Sequence, residues 1–167
     1  CRNSRNWKKL KQKVLIIKPG YCEILDRGSN LREVSLGDIL RTTVILHPYK
    51  DQEITWITSK EAFPLLEDNP FIERGRLLPF DLITTLQIQS EEFDTIINLE
   101  KVPGICALSD KLRARKSKYG FTFNSQTGEA EALENSAEVL AFSRNLTYKK
   151  ENKKTLQEHL FEVIGKK

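Results

Sequence analysis

The segment VSLGDILRTTVILH, residues 34–47, sets an acid directly after a lone glycine where a helical pattern begins. A helix N-terminus favours anions, because its first backbone N–H groups lack partners and the macrodipole is positive there. Asp38 therefore reads either as a helix cap accepting those N–H groups, or as a fixed negative group that does chemistry at the mouth of the fold. Ser35 and Gly37 shape the turn before it. Gly37 serves a positive φ, a close approach by ligand, or simply a looser helix start. Lys18 ends an apolar, β-branched run, where it either neutralises a phosphate or carboxylate or is a solvated strand end. Lys101 ends another such run, followed by Pro103 and Gly104, which open a helix with free N–H groups. Arg113, Arg115 and Lys116 suit acidic sugar or phosphate groups, since guanidinium pairs bidentately with both. Their plainer reading is an exposed basic helix end complementing the dipole. His47 and His159 stand isolated, with core or surface roles ahead of catalysis or metal binding, and neither a metal nor a cofactor is expected.

These residues need a frame to hold them. KVLIIK at residues 13–18 has the pattern of a strand buried on both faces of a parallel sheet. EITWITS at 53–59 and DTIINLE at 94–100 predict two more strands, RLLPF around Leu77 a short fourth, and KYGFTF at 118–123 a fifth. Helical patterns fall between them. One spans 37–49 with Leu36, Leu40, Val44 and Ile39, Thr43, Leu46 on its stripe. A short one at 60–67 is limited by Pro64. A third at 81–89 is capped by Asp81, and a fourth at 102–115 opens with Pro103. Alternating strands and helices predict right-handed crossovers and a doubly wound α/β sheet. The turn NSQTG lets residues 121–133 form a hairpin, and two helices, 135–143 and 145–164, close the chain. The connection at 19–36 far exceeds the roughly 2–6 residues usual for such a loop, and it lies at the sheet edge where ligands bind.

The 167 residues suffice for one domain with a substantial core. With 39% hydrophobic and 30% charged residues the chain is globular rather than disordered, and no apolar run approaches a membrane span. The opening residues read as a basic arm, 1–12, rather than a signal peptide. Cys1, Cys22 and Cys106 lack metal spacing, which predicts a reducing, cytoplasmic compartment. Basic clusters at 2–13, 111–118 and 149–154, with a net charge of +4, favour polyanions or an anionic membrane surface, or are solvated lysines balanced by 23 acids. Trp7 in the arm suits a membrane surface or a partner, and Trp56 suits the sheet core. The NLT at Asn145 matches a glycosylation acceptor by chance.

Four segments in order resemble one family: KVLIIKPG, SLGDILRTT, ITWITSKEAFPLLEDNPFIER and FDTIINLEKVPGICALSDKLRARKSKYGF. They are similar to the N-terminal half of glycosyltransferase family 9, the heptosyltransferase-like enzymes, over most of residues 13–123. The resemblance implies the GT-B architecture, two Rossmann-like domains facing a cleft. It implies inverting, metal-independent transfer of a heptose-like sugar from an ADP-linked donor to lipopolysaccharide core or a related glycan. Asp38 matches the family's general base, and Lys18, Ser35, Gly37, Lys101, Arg113 and Arg115 become candidates for binding the acceptor.

Two departures accompany the match. Family members turn almost directly after the first strand, whereas residues 19–36 intervene here, either carrying Asp38 into the cleft or holding it away. The donor-binding half is also expected to lie outside these 167 residues. The expected division is therefore a basic arm (1–12), a Rossmann-like acceptor domain (13–143) and a helical segment (144–167) leading to a C-terminal donor domain. The expected partners are a glycan acceptor, a nucleotide-sugar donor bound through that missing domain, and a peripheral contact with the inner membrane face. A Rossmann-like binding module without catalysis is the alternative. Nucleic-acid binding is weaker, with no recognised motif and only 8% aromatic residues.

Overall fold

The computed structural model describes residues 11–21, 34–72 and 76–166. Most of the basic arm with Trp7, the two thiols Cys1 and Cys22, and the middle of the 19–36 connection lie outside the described residues. Six strands form one sheet: β1 (Lys13–Ile17), β2 (Glu53–Thr58), β3 (Arg76–Pro79), β4 (Glu92–Asn98), β5 (Arg113–Asn124) and β6 (Glu129–Ala132). Their order is β3-β2-β1-β4-β5-β6. The first five run parallel, and β6 returns antiparallel from β5 as the hairpin expected from NSQTG. The side-chain carbonyl of Asn124 accepts from the amides of Gln126 and Thr127, which builds that turn.

Helices cover both faces. They are α1 (Leu36–Thr42), α2 (Phe63–Leu66), α3 (Leu82–Gln89), α4 (Pro103–Lys111), α5 (Ala137–Arg144), α6 (Leu146–Glu151) and α7 (Leu156–Val163). Alternation along β1 divides the core. Val14 and Ile16 face a cluster with Ile39 of α1, Trp56, and Leu160 and Val163 of α7. Leu15 and Ile17 face the opposite layer, with Ile88 of α3 and Ile105 and Leu108 of α4. The chain is thus a Rossmann-like, doubly wound α/β domain, as its pattern predicts.

Several local expectations are corrected. The helix expected over 37–49 tightens after Thr42 into a 3-10 segment, Thr43–Tyr49. The run Thr42–Ile45 is β-branched throughout, Thr42 and Thr43 donate their hydroxyls back to the carbonyls of Asp38 and Leu40, and Pro48 has no N–H to give. Its stripe is also narrower than read: Ile39 and Thr42 are buried, while Leu36 and Leu40 remain exposed. The helix expected to reach Arg115 ends at Lys111, because buried Leu112 turns extended and leads into β5. The last expected helix is broken at residues 152–155, where the Asn152 side chain accepts from Lys154 N and donates to Lys154 O. Thr155 restarts it with a reciprocal capping box to Glu158. Asn145, the NLT asparagine, caps α6 by accepting from Thr147 N. Asp81 caps α3 as expected, accepting from Thr84 N at 2.8 Å.

Candidate functional site

Chain order reverses between β1 and β4, so the loops leaving their carboxyl ends diverge and leave a crevice. Lys18 leaves β1 there, and Leu99, Glu100 and Lys101 leave β4. The connection after β1 closes on itself at its base. Tyr21 pairs with Val34 in an antiparallel bridge, and Ser35 N donates to Gly20 O at 2.8 Å. The turn at Ser35 therefore stands beside Gly20 in space, as though the intervening residues were absent. That closure delivers Asp38 to the crevice.

Asp38 is not the cap. Ser35 holds that position without a side-chain hydrogen bond, and Asp38 lies within the first turn of α1. Its carboxylate meets the Lys18 ammonium at 2.7 Å. Lys18 is buried, with Leu99 O at 3.4 Å and Glu100 Oε2 at 3.9 Å. One ammonium thus stands between two carboxylates. A buried cation is tolerated only where such partners offset its lost hydration.

Glu100 is the residue that sequence reasoning missed. It is 2% exposed and accepts from Gly20 N at 2.8 Å and Tyr21 N at 3.2 Å, so it pins the first residues of the loop. Its place is set in turn by Asn98, which accepts from Glu100 N and donates to Phe121 O. Cys106 closes the same knot by donating its thiol to Glu100 O at 3.2 Å. The available signal was an acid ending a buried strand, a position that demands a partner.

Burial holds the Glu100 carboxyl above the usual carboxylate range, against the pull of Lys18 and the Gly20 amide. The native state then binds this proton more tightly than the unfolded chain does. The stability it contributes is fully present below the ordinary value of 4.5 and is lost as pH rises through the folded value. In Glu100→Gln the amide oxygen still accepts from Gly20 and Tyr21, but nothing titrates. Urea midpoints of the two proteins, measured from pH 4 to 8, are expected to diverge in favour of the variant as pH rises; parallel curves would contradict this.

A small cavity of about 60 Å³ borders Lys18, Asp38, Lys101 and Phe121. An adjoining groove of about 370 Å³ shares Asp38 and Lys101 and adds Arg41, Lys149 and His159. Lys101 Nζ lies 5.5 Å from the centre of the Phe121 ring, an arrangement that steadies a cation beside an aromatic face. The groove is thus basic with one acid at its edge, an arrangement suited to an anionic, hydroxyl-bearing ligand. Gly37 is exposed without a positive φ, and a Cβ there would meet nothing within 4 Å. The glycines with positive φ and crowded surroundings are Gly20 and Gly120.

The structure gathers Lys18, Asp38 and Lys101 around the crevice, with Ser35 and Gly37 on the adjoining turn. It does not bring Arg113 and Arg115 there. Both lie at the start of β5, at the amino edge of the sheet, paired with Glu92 at the start of β4. Lys116 follows them and lies 3.8 Å from Asp94. The strand that replaces the expected helix carries these cations to the far edge. Arg41 and Lys149 supply the basic side chains found at the groove instead.

The fold and crevice define the class: a Rossmann-like domain with its ligand edge at the β1/β4 switch point. Particular solved structures share the fold. A glycosyl transferase family 9 protein from Veillonella parvula DSM 2008 superposes with a TM-score of 0.59 at 15% identity, over 94% of this chain and 42% of that one. E. coli heptosyltransferase WaaC with ADP superposes at 0.54 and 13% identity, over 93% and 48%. The same enzyme with ADP-2-deoxy-2-fluoro heptose gives 0.52 and 13%, over 93% and 49%. The chain thus spans less than half the length of each of these structures. No protein-family model matches the sequence, and no curated protein matches it either. Among the described residues no helix is long and apolar enough to cross a membrane.

Proposed function

We propose that this chain is the acceptor-binding half of an inverting, metal-independent glycosyltransferase, one that moves a heptose-like sugar from an ADP-linked donor to lipopolysaccharide core or a related glycan. The observation that carries the reading is the Lys18–Asp38 pair, at 2.7 Å, beside a basic groove at the sheet's switch point. Inverting transfer needs a carboxylate within about 2.6–3.2 Å of the attacking hydroxyl, held on a rigid element. Asp38 on the first turn of α1 meets that need. The hydroxyl oxygen attacks the anomeric carbon as the bond to the donor diphosphate breaks, and its proton passes to Asp38. Lys18 orients the carboxylate through the ion pair. Lys101 and Arg41 hold an anionic group of the acceptor, and the exposed Gly37 leaves room for the sugar to approach. The donor diphosphate is held by a C-terminal domain, and the work is done in the cytoplasm at the inner membrane face. The fold likeness to a family 9 glycosyl transferase and to WaaC, which is seen with ADP and an ADP-sugar, supports this assignment.

The division of labour is testable on the isolated chain. By saturation-transfer NMR, a lipopolysaccharide core glycan is expected to bind it, and Lys101→Ala to weaken that binding. ADP is expected not to bind, and no turnover of an ADP-sugar is expected from the chain alone. Binding of ADP without binding of glycan would overturn the assignment as the acceptor half.

A further inference from the structure

Glu138 on α5 converges with His159 and Glu162 on α7, and one ligand atom from each lies within 4.8 Å of the others. None of the three carries the transfer chemistry proposed above. Their arrangement is controlled by Asn152. Its amide nitrogen donates to Lys154 O at 2.8 Å, and its oxygen accepts from Lys154 N at 2.9 Å, which fixes the orientation of the amide. That same oxygen lies 3.1 Å from His159 Nε2. A carboxamide oxygen only accepts, so Nε2 carries a proton, and Nδ1 is the ring nitrogen whose lone pair the neutral ring offers.

The His159 side chain is 4% exposed, and Nδ1 has no hydrogen-bond partner among the described residues. It faces Glu138 Oε2 and Glu162 Oε2, each at 3.8 Å. A buried Nδ1 lone pair aimed at two carboxylates is repulsive unless a proton or a metal cation stands among them. The cation present is Lys154, whose ammonium bonds Glu138 at 2.9 Å and Glu162 at 3.0 Å. It brings a single positive charge to two negative ones, on a side chain that is 41% exposed and able to swing out.

We propose that Glu138, His159 Nδ1 and Glu162 form a binding site for a divalent transition metal of the zinc type, and that Lys154 is the group the metal displaces. One imidazole and two carboxylates are a donor set zinc accepts, with bonds of about 2.0–2.2 Å. Tetrahedral ligands at that range lie roughly 3.4 Å apart, so each histidine–glutamate separation of 3.8 Å contracts by well under an ångström, and the two carboxylates close the rest from within 4.8 Å. Both glutamates are nearly half exposed and free to make that adjustment. Asn152 supplies the outer contact that metal-bound histidines use to fix their tautomer. The site is structural: it staples α5 to α7, and His159 and Asn152 hold one wall of the groove that Asp38 borders.

Calorimetric titration of the metal-free chain with ZnCl₂ tests this without reference to sugar transfer. Saturable one-to-one binding is expected. It should weaken at least tenfold in the Glu138→Gln/Glu162→Gln double variant, whose changes are at exposed side chains and leave the core intact. It should tighten in Lys154→Met, where the competing ammonium is gone. Co²⁺ should show the d–d absorption of a low-symmetry, tetrahedral-type site in wild type and lose it in His159→Ala. Absence of saturable binding, or binding unchanged in the double variant, would overturn the site. Lys154→Met binding no tighter than wild type would overturn the displacement.

Discussion

Gly120→Ala is expected to cost about 3–5 kcal/mol, a large part of the roughly 5–15 kcal/mol that holds a domain of this kind together. Gly120 has φ +96°, and a Cβ there would lie 1.8 Å from the carbonyl oxygen of Asn98. That oxygen belongs to the backbone of the neighbouring strand, which cannot rotate away as a side-chain tip would. Asn98, the last residue of β4, is paired with Gly120 within β5. Relieving the clash therefore means parting the strands where Asn98 holds both Phe121 O and the amide of Glu100. The loss should spread to the Glu100 contacts that pin Gly20 and Tyr21, and so to the Lys18–Asp38 pair. At about 2–4 °C per kcal/mol for a chain of this size, the melting midpoint should fall by roughly 10 °C or more. Thermal unfolding by circular dichroism measures this, and a midpoint within a degree or two of wild type would contradict it.

Gly120 also shows where the sequence is informative and where it falls short. A glycine before an aromatic strand residue ended the stretch that resembles family 9, yet its reason is a contact with Asn98 across the sheet, which no local pattern contains. The same division runs through the fold. β1 was legible because four consecutive apolar residues, Val14 to Ile17, leave a buried strand as the simplest account. α3 and α4 were legible at their starts because Asp81 and Pro103 are local signals. Arg113 to Ser117 was not, because their strand state comes from pairing with β4 rather than from their own alternation. Tertiary pairing also moved Arg113 and Arg115 away from the site.

The candidate site divides in the same way. Asp38, Lys18 and Lys101 could be picked out as charged residues at strand ends and helix mouths. Glu100 could not, because its importance lies in amides eighty positions back in the chain that only folding brings near. The effect of the long connection was likewise out of reach. Whether residues 19–36 deliver or withhold Asp38 depends on the bridge between Tyr21 and Val34, a pairing across thirteen positions. His159 seemed isolated for a related reason: Glu138, its partner on α5, reaches it only once α7 packs against the sheet.

The second large effect is on catalysis. Asp38→Asn keeps the size and shape of the side chain and removes its charge, so Lys18 keeps Leu99 O and Glu100 as partners and the fold should hold. An amide cannot take the acceptor's proton, and losing a positioned base costs on the order of 100-fold to 10,000-fold in rate. On the function proposed above the loss falls on kcat, with KM for the donor unchanged, because that reading gives donor binding to a separate domain. Asp38→Ala should lose transfer equally without unfolding the protein. The direct test is turnover of Asp38→Asn beside wild type, in the protein that carries both halves, with ADP-heptose and a lipopolysaccharide core glycan and with unfolding midpoints recorded for both. The account predicts kcat reduced at least 100-fold at an unchanged midpoint. A variant that folds normally and turns over at the wild-type rate would contradict it, leaving Asp38 as the counter-ion of Lys18 in a domain that binds without catalysing.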